Sequence, residues 1–343
     1  MRAIQVSEYV KSPLDLKVTT LPTPSPSPDC YLIEVHAAGT NFFDLLQIQG
    51  KYQNQPPFPW IAGAEFAGIV IATPTAPKTP PRFRVGDRVF GAHQGAYATH
   101  ILAPKHALLP IPSGWSLEDA AGLFITAPTS YGGIVHRANV QPGEWVLVHA
   151  AAGGVGLAAV QIAKAKGATV IATASTERKR QIARDFGADF TIDYRAADWP
   201  EQVRQLCRKH RPAGNGQAGV DVVFDPVGLI EKSLKCVAWN ARLLVIGFAA
   251  GKIEKVAVNR VLLKNVSLVG VHWGQYINHE PETVTAVWQG IFDLISRGKF
   301  RSTVFSDRQF VGLESVPNAL RALGTRDTWG KVVVRISDTS SKL

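Results

Sequence analysis

The stretch that decides the fold reads Trp145-Val-Leu-Val-His-Ala-Ala-Ala-Gly-Gly-Val-Gly-Leu-Ala-Ala-Val-Gln-Ile-Ala-Lys164. It opens with a short apolar run, 145–148, of the kind that forms a buried strand. A Gly-rich turn, 151–156, comes next, and the Ala-rich segment after it is typical of a mostly buried helix. A strand, a glycine turn and a helix in this order are the usual context of a dinucleotide-binding site.

Two glycines of this turn have distinct predicted roles. Gly153 lets the backbone approach a pyrophosphate, and Gly156 lets the helix pack closely on the strand. The N-terminus of the helix offers free N–H groups and the positive end of its dipole to phosphates. Ala151 stands where the first glycine of the G-x-G-x-x-G pattern lies. The motif is therefore incomplete, and the prediction of dinucleotide binding depends also on the sequence around it.

Strand-like and helix-like segments alternate around this turn. Apolar runs of strand type lie at 145–148, 169–173, 190–192, 220–224, 243–246 and 267–271. Apolar residues at helical spacing lie between them, most clearly at 201–210 and 230–239. The alternation predicts an α/β fold of the Rossmann type, which is a doubly wound parallel sheet with ligands at the carboxyl ends of its strands.

The remainder of the chain has a different pattern. Residues 1–124 are β-rich, with Pro and Gly clusters separating apolar runs at 3–6, 16–19, 31–37, 67–71, 88–90, 97–102 and 108–111. Beyond residue 271, the pattern predicts helices at 283–296 and 315–323 and a strand at 332–336. This tail is too short to form a domain alone, so we expect it to fold back onto the N-terminal half.

Composition narrows the class of protein. The chain has 343 residues, of which 46% are hydrophobic and 19% charged, as in an ordinary globular protein of about two domains. Its three cysteines are far apart, which indicates a reducing compartment. No apolar run reaches the ~18 residues of a membrane span. The net charge of +10 suits anionic ligands such as NADPH or CoA esters. Nucleic-acid binding is not favoured, because basic residues form no long block with interleaved aromatics.

The sequence ends in Ser341-Lys342-Leu343, which is a peroxisomal address when it stands at a free C-terminus. In a eukaryotic source, this tripeptide predicts recognition by the peroxisomal import receptor and a location in the peroxisomal matrix. The alternative is a chance occurrence, and in a source without the organelle we expect the protein in the cytoplasm.

The residues after the second strand of the alternating region indicate the cofactor. NAD enzymes carry an acidic residue there that binds the ribose hydroxyls. Positions 174 and 175 hold no acid, and Ser175 is followed by the cations of 178–180. A serine hydroxyl together with Lys179 suits the additional 2′-phosphate of NADP. The alternative is that 178–180 form a solvated helix face.

Seven more stretches, in order along nearly the whole chain, complete a distinctive set. They are Ala38-Gly-Thr-Asn-Phe-Phe-Asp44, Gly63-Ala-Glu-Phe-Ala-Gly68, Val85-Gly-Asp-Arg-Val89, Asp221-Val-Val-Phe-Asp-Pro-Val-Gly228, Gly247-Phe-Ala-Ala-Gly-Lys252, Lys264-Asn-Val-Ser-Leu-Val-Gly270 and Gly330-Lys-Val-Val-Val334. With these stretches, the chain resembles the medium-chain dehydrogenase/reductase superfamily, and within it the zinc-free quinone oxidoreductases of the zeta-crystallin-like branch. The resemblance implies a β-rich GroES-like catalytic domain (1–124 and 272–343) around an NADPH-binding domain (125–271), in a homodimer or homotetramer.

The residues also bear on zinc. Zinc-dependent relatives use a Cys, a His and a second Cys as catalytic ligands, with a four-Cys structural lobe. Asn41 stands at the first Cys position and Ala64 at the His position, and there is no Cys between 31 and 206. The sequence therefore predicts no metal site. It predicts direct hydride transfer from NADPH to an electron-poor acceptor such as a quinone or an enone.

The resemblance also implies site residues. The predicted cofactor-binding residues are Asn41, Thr129, Ala152, Gly153, Gly154, Val155, Ser175, Lys179, Tyr194, Gly247, Phe248, Asn265 and Lys331. Core packing is the alternative for Phe248. The predicted catalytic residues are Asn41, Asp44 and Tyr52, and the predicted substrate pocket contains Tyr52, Trp60 and Trp273. We expect Asn41 to donate to a reduced oxygen or to the cofactor, and it can cap a helix at the same time. Tyr52 is expected to donate a proton or to shape the pocket. The two tryptophans are expected to be pocket walls or core.

The leading hypothesis is an NADPH-dependent quinone oxidoreductase. A reductase of enone or enoyl-CoA double bonds is the main alternative, and a peroxisomal location favours it because fatty-acid oxidation there produces enoyl-CoA. A third hypothesis is an NADPH-binding protein with a structural or RNA-binding role.

Overall fold

The computed structural model describes residues 1–76, 80–211, 219–251 and 253–336, and the predicted peroxisomal address at 341–343 lies outside these residues. The chain forms two compact units. The first contains Met1–Ile125 and the segment from Ser302 onward, and the second is Thr126–Arg301. Within the described ranges, no helix has the length and apolar character needed to cross a membrane.

The strands and helices are numbered in chain order. The strands are β1 (Arg2–Val6), β2 (Val18–Thr20), β3 (Cys30–Gly39), β4 (Trp60–Ile61), β5 (Glu65–Ala72), β6 (Arg88–Ala92), β7 (His100–Pro104), β8 (Leu108–Pro110), β9 (Trp145–Val148), β10 (Thr169–Thr173), β11 (Phe190–Ile192), β12 (Val220–Asp225), β13 (Val237–Val245), β14 (Ser267–Gly270), β15 (Phe310–Val311) and β16 (Val333–Arg335). The helices are α1 (Phe42–Ile48), α2 (Leu117–Ala121), α3 (Thr126–Tyr131), α4 (Gly154–Ala165), α5 (Glu177–Asp185), α6 (Trp199–His210), α7 (Ile230–Ser233), α8 (Val258–Lys264), α9 (Tyr276–His279), α10 (Pro281–Ser296) and α11 (Val316–Gly324).

The second unit is built on a six-stranded sheet in the order β11-β10-β9-β12-β13-β14. All of its strand pairs are parallel. The chain starts at the central strand β9, builds one side of the sheet, and then crosses over to β12 to build the other. This is the doubly wound order, and it confirms the predicted fold class. Because the strand order reverses at β9, the carboxyl ends of β9 and β12 form the crevice where such sheets bind ligands.

The first unit is β-rich. Its larger sheet has the order β15-β16-β3-β5-β6-β8, with β7 also paired to β3, and a smaller sheet has the order β2-β1-β4. Strand β16 pairs antiparallel with the end of β3, so the last strand of the chain joins the N-terminal half as predicted. The strands and α11 enclose one hydrophobic core that includes Ile33, Phe66 and Leu320.

The units differ from the predicted domain boundaries. The prediction assigned 272–343 to the catalytic domain, but residues up to Arg301 belong to the second unit. The reason is packing, because α10 lies directly against α3. A Cβ added to Gly290 of α10 would lie 2.1 Å from the hydroxyl of Tyr131 in α3, so the two helices are in intimate contact.

The helix predicted at 230–239 is wrong. Helix α7 ends at Ser233, and β13 begins at Val237. Ile230, Leu234 and Val237 are all buried in the same core, as their spacing indicates, but a helical turn followed by a strand buries them. By contrast, β9, β10 and β11 coincide with the predicted strands at 145–148, 169–173 and 190–192.

Candidate active site

The Gly-rich turn leaves the carboxyl end of β9 and begins α4 at the edge of the sheet. Ala150 has a left-handed backbone with φ 46°, and Gly153 is the N-cap of α4. A Cβ on Gly156 would lie 2.4 Å from the carbonyl oxygen of Ala150, so only glycine fits there. The predicted role of Gly156 in close packing is therefore confirmed. The N–H of Gly153 donates to the carbonyl oxygen of Ala150 at 2.8 Å, and the N–H groups at the start of α4 remain the predicted pyrophosphate ligands.

A buried histidine after β9 links β10 to α7 beneath this turn. The ring atom Nδ1 of His149 lies 3.0 Å from Oγ1 of Thr173, and Nε2 lies 2.8 Å from Oγ of Ser233. Because the Ser233 hydroxyl donates to the carbonyl of Leu229, Nε2 carries the ring proton and donates to Ser233. Burial lowers the pKa of His149 to about 4, so the ring is neutral at physiological pH.

A second buried group shapes the neighbouring loop. Asp225, at the carboxyl end of β12, accepts hydrogen bonds from the backbone N–H groups of Val227, at 2.8 Å, and of Gly228, at 3.0 Å. Gly247 follows β13 beside this loop, and a Cβ there would lie 3.5 Å from the carbonyl oxygen of the loop proline. The next residue, Phe248, is 42% exposed, so core packing is not its role.

The end of β10 carries the predicted 2′-phosphate residues. Ser175 is half-buried, and the backbone N–H of Lys179 donates to the Thr176 hydroxyl that caps α5. Tyr194 follows β11 and packs on the core of the sheet. Sequence reasoning missed Arg180, whose guanidinium donates to the Ala174 carbonyl oxygen at 3.4 Å.

Arg180 also contacts the acidic residue after β11. Its Nη1 lies 3.2 Å from Oδ2 of Asp193, and Arg195 binds the same carboxylate at 2.6 Å. Hydrogen bonding by Arg195 and the charge of Arg180 hold the pKa of Asp193 well below its usual range. The cationic run 178–180 is therefore not uniformly solvated, since its last member turns toward the sheet.

The structure separates Asn265 from the other predicted cofactor residues. Asn265 precedes β14, and its side-chain amide contacts Asn240 near the start of β13. The amino ends of parallel strands lie at the sheet edge opposite the Gly-rich turn, so the prediction of Asn265 as a cofactor ligand is corrected.

Thr129 and Trp273 lie elsewhere in the second unit. Thr129 is half-buried on α3, and the neighbouring Ser130 hydroxyl contacts the carbonyl oxygen of Val155 in α4 at 2.8 Å. Trp273 follows the carboxyl end of β14 and stacks on Tyr276 with the ring centroids 5.1 Å apart. A Cβ on Gly132 would lie 3.1 Å from the Trp273 indole, so this glycine makes room for the ring.

A buried polar cluster occupies the first unit, where α1 follows β3. Asn41 is the N-cap of α1, and Asp44 Oδ2 accepts from its backbone N–H at 2.8 Å and from the Tyr97 hydroxyl at 2.6 Å. Burial raises the pKa of Asp44 to about 6, although both hydrogen bonds and the Lys331 charge oppose the shift. Asn41 and Asp44 therefore share one site, whereas Tyr97 and its link to Asp44 were missed. Tyr97 has no motif that would have revealed it.

Tyr52 lies near this cluster, and Trp60 lies in the core. The Tyr52 ring is half-buried and stacks on Phe43 with the centroids 5.5 Å apart. Burial and the Asp44 charge raise the pKa of the Tyr52 phenol above its ordinary value, so it keeps its proton at neutral pH. Trp60 is 6% exposed and belongs to the hydrophobic core of the first unit, which is the alternative that the sequence left open.

Lys331 is the least expected member of the cluster. Its ammonium lies 2.5 Å from Oε2 of Glu65 and also contacts Oδ1 of Asn41. Lys331 is 3% exposed and Glu65 is fully buried. This placement does not match the predicted role of Lys331 as a cofactor ligand, because groups of its own unit surround the ammonium.

The residues do not fit a zinc ion. Asn41 and Ala64 stand at the Cys and His positions of zinc-dependent relatives, and the Lys331 ammonium occupies the acceptors of Asn41 and Glu65. A cation at that point repels a metal ion. In the described part of the chain, no cluster of three or more His, Cys, Asp or Glu side chains is arranged to hold a metal.

Comparison with known proteins places the chain in a family. The model of the alcohol dehydrogenase GroES-like domain matches residues 27–113, and the model of the zinc-binding dehydrogenase family matches residues 154–292. A quinone oxidoreductase-like protein 2 homolog of Nematostella vectensis is 36% identical over 307 residues, which cover 88% of this chain and 80% of that protein.

Solved structures agree with this relationship. The crystal structure of Escherichia coli quinone oxidoreductase complexed with NADPH superposes with a TM-score of 0.86 at 29% identity, over 98% of this chain and all of that one. The CurK enoyl reductase gives a TM-score of 0.83 at 28% identity, over 98% of this chain and 99% of that one.

These matches identify the class of the protein as the medium-chain dehydrogenase/reductase superfamily of oxidoreductases. Within that superfamily, the chain belongs with the quinone oxidoreductases and the quinone oxidoreductase-like proteins.

Proposed function

We propose that the protein is an NADPH-dependent reductase that transfers a hydride to a small quinone. The main support is the carboxyl edge of the six-stranded sheet, where the Gly-rich turn and Ser175 follow adjacent strands and positions 174–176 hold no acid. Relatives named quinone oxidoreductases support the choice of acceptor.

The cofactor fits the residues present at this edge. Gly156 lets the turn pack closely on α4, and the N–H groups at the start of α4 would hold the pyrophosphate. Ser175, Lys179 and Tyr194 would hold the 2′-phosphate, and the backbone at Gly247 would hold the carboxamide. NADPH supplies the hydride when it is bound.

The residues of the first unit would serve the acceptor. The Asn41 side-chain amide donates an N–H to the oxygen on which negative charge develops. The Tyr52 phenol carries its proton at neutral pH and would supply the proton that the reduced oxygen requires, although burial and the charge of Asp44 raise its pKa and so make it a weaker acid.

The test is NADPH consumption by the purified protein. The acceptors are ortho- and para-quinones, small enones and trans-2-enoyl-CoA esters, each measured as kcat/KM. We expect the highest values with quinones, and a lower kcat for Tyr52→Phe with KM unchanged. Faster turnover of enoyl-CoA would overturn the choice of quinone and favour double-bond reduction, for which the similarity to an enoyl reductase is a precedent.

We propose further that two copies of the chain associate through β14. This strand is the last of the six-stranded sheet, so among the described residues one edge of its backbone has no partner strand. Beside it, α8 exposes Val258 (78%), Leu262 (76%) and Leu263 (72%), which is unusual for large apolar side chains. A two-fold axis would bring the same edge of a second copy against this one and cover the patch.

A further inference from the structure

We propose that the Lys331 ammonium is the fixed cation of the acceptor site and that it acts as a positioning residue for Asn41. This inference rests on the proposed function, in which the Asn41 amide binds the acceptor oxygen. It gives Lys331 a role different from the cofactor binding that the sequence predicts.

The backbone places Lys331 level with Asn41. Strand β16 pairs antiparallel with β3, with Val333 opposite Gly39, and the same register continued puts Lys331 opposite Asn41. The backbone N–H of Lys331 donates to the Thr303 carbonyl oxygen at 2.8 Å, and its carbonyl accepts from the N–H of Phe305 at 2.8 Å. Both main-chain groups of Lys331 are thus held by one neighbouring segment, 303–305.

Two glycines leave room for the lysine side chain. A Cβ on Gly39 would lie 3.1 Å from Cε of Lys331, and a Cβ on Gly122 would lie 2.9 Å from its Cγ. A Cβ on Gly39 would also lie 2.4 Å from the carbonyl oxygen of Ala121, so this position cannot carry a side chain. The aliphatic stem of Lys331 therefore passes between two glycines and brings its charge into a buried site.

The ammonium sets the orientation of the Asn41 amide. A lysine ammonium only donates hydrogen bonds, so Asn41 must turn its oxygen toward Nζ. The Nδ2 atom then faces Glu65 Oε2, at 3.3 Å, and the other oxygen of that carboxylate accepts from the N–H of Ile125 at 3.0 Å. Asn41 has two N–H groups on Nδ2, and its contacts with the described residues use one of them.

The second N–H is the donor that an acceptor oxygen needs. The direction of this N–H is fixed, because Lys331 holds the amide oxygen and Glu65 accepts from the other N–H. The amide therefore does not need to reorient as charge develops on the acceptor. The positive charge of Lys331 balances Glu65 and lies beside the amide, in the part of the site where zinc-dependent relatives hold their metal. The acceptor class is a carbonyl compound that takes a hydrogen bond at oxygen, such as a quinone.

The test is a double-mutant cycle in the full-length protein. The charge-balanced variant Lys331→Met/Glu65→Gln removes both buried charges together, so it leaves no uncompensated ion and should fold. We expect kcat with a quinone to fall roughly 10- to 100-fold, while the Kd for NADPH, measured by cofactor fluorescence, stays unchanged. Asn41→Ala should lower kcat by a similar factor.

The coupling between the variants decides the role of Lys331. If Lys331 acts through Asn41, adding Asn41→Ala to the double variant causes no further loss of kcat. Independent, multiplicative losses would overturn the inference, as would a weaker Kd for NADPH with kcat intact, which would return Lys331 to cofactor binding.

Two controls separate the possible failures. Arg335→Gln removes a half-buried ion pair between Arg335 of β16 and Glu118 of α2, and it should change neither kcat nor the Kd for NADPH. A wild type that turns over no quinone would refute the proposed function. A wild type that does, together with a charge-balanced variant of equal kcat, would refute only the role of Lys331.

Discussion

Asp44 is a buried carboxylic acid whose two oxygens have different surroundings. Oδ2 accepts from the Asn41 N–H and the Tyr97 hydroxyl. Oδ1 is buried without a hydrogen-bond partner in the described part of the chain. An oxygen of this kind is tolerated best when the carboxyl carries a proton, which is why burial raises the pKa of Asp44 to about 6.

This environment predicts how stability depends on pH. Between 3.8, the ordinary pKa of an aspartate, and about 6, the pKa of Asp44 in the folded chain, the folded chain binds more protons at Asp44 than the unfolded chain does. Asp44 therefore costs stability as the pH rises through this window, by about 2–3 kcal/mol. Asp44→Asn should remove this loss. The free energy of unfolding of the variant, relative to that of the wild type, should therefore increase as the pH rises from about 4 to about 7.

Chemical denaturation across this pH range measures the effect. Asp29→Asn, at an exposed aspartate of the same unit, is the matched control and should follow the wild-type curve. Parallel curves for Asp44→Asn and the wild type would contradict the account of Asp44.

Gly156 is a position where an added Cβ atom would affect both stability and cofactor binding. Gly156→Ala would place a Cβ 2.4 Å from the Ala150 carbonyl oxygen, so the turn must move away from α4. We expect a loss of about 1–3 kcal/mol in the free energy of unfolding, together with weaker NADPH binding. Gly274→Ala is the control, because no atom lies within 4 Å of its added Cβ. Unchanged stability and affinity in Gly156→Ala would refute the close-packing role.

At the scale of elements, we expect the end of β10 to determine the choice of cofactor. Ser175→Asp places a carboxylate where NAD enzymes bind the ribose hydroxyls and where it repels a 2′-phosphate. The ratio of the NADPH and NADH affinities should shift toward NADH by about tenfold or more, as measured by titration of cofactor fluorescence. Arg178→Gln, on the exposed side of α5, should shift the ratio far less. An unaltered ratio in Ser175→Asp would mean that another element recognises the phosphate.

The elements also show what the sequence can predict. Strands β9, β10 and β11 match their predicted bounds because buried parallel strands are continuous apolar runs with clear ends. The segment 230–239 was mispredicted because apolar residues at helical spacing are also buried by a short helix followed by a strand.

Among the site residues too, those placed by local sequence were predictable, and those placed by long-range contacts were not. The Gly-rich turn and Ser175 follow β9 and β10, where the sequence places them, because local sequence determines local geometry there. Asn265 was misplaced because a motif does not state which edge of the sheet it reaches. The contact of Lys331 with Glu65 joins residues that are distant in the sequence, and it depends on the pairing of β16 with β3. No local pattern contains such information.

At the scale of the whole molecule, the exposed face of α8 predicts the assembly. Leu262→Lys places a charge at the centre of the apolar patch that a second copy would cover. The wild type should elute with twice the mass of one chain in size-exclusion chromatography with light scattering, and the variant should shift toward one chain. Ile71→Lys, at a partly exposed position of the first unit, should not change the mass. A monomeric wild type at micromolar concentration would rule out this interface.

The central claim is that this chain reduces an electron-poor carbonyl acceptor without a metal ion, and that the Asn41 amide, oriented by the Lys331 ammonium, binds the acceptor oxygen. The most direct measurement is the kcat for NADPH oxidation by a quinone in protein dialysed against a chelator, with the metal content of the same sample determined by mass spectrometry. We predict full turnover with far less than one metal ion per chain, and no change when zinc is added back. Turnover that falls with the zinc content and returns on its addition would contradict the claim.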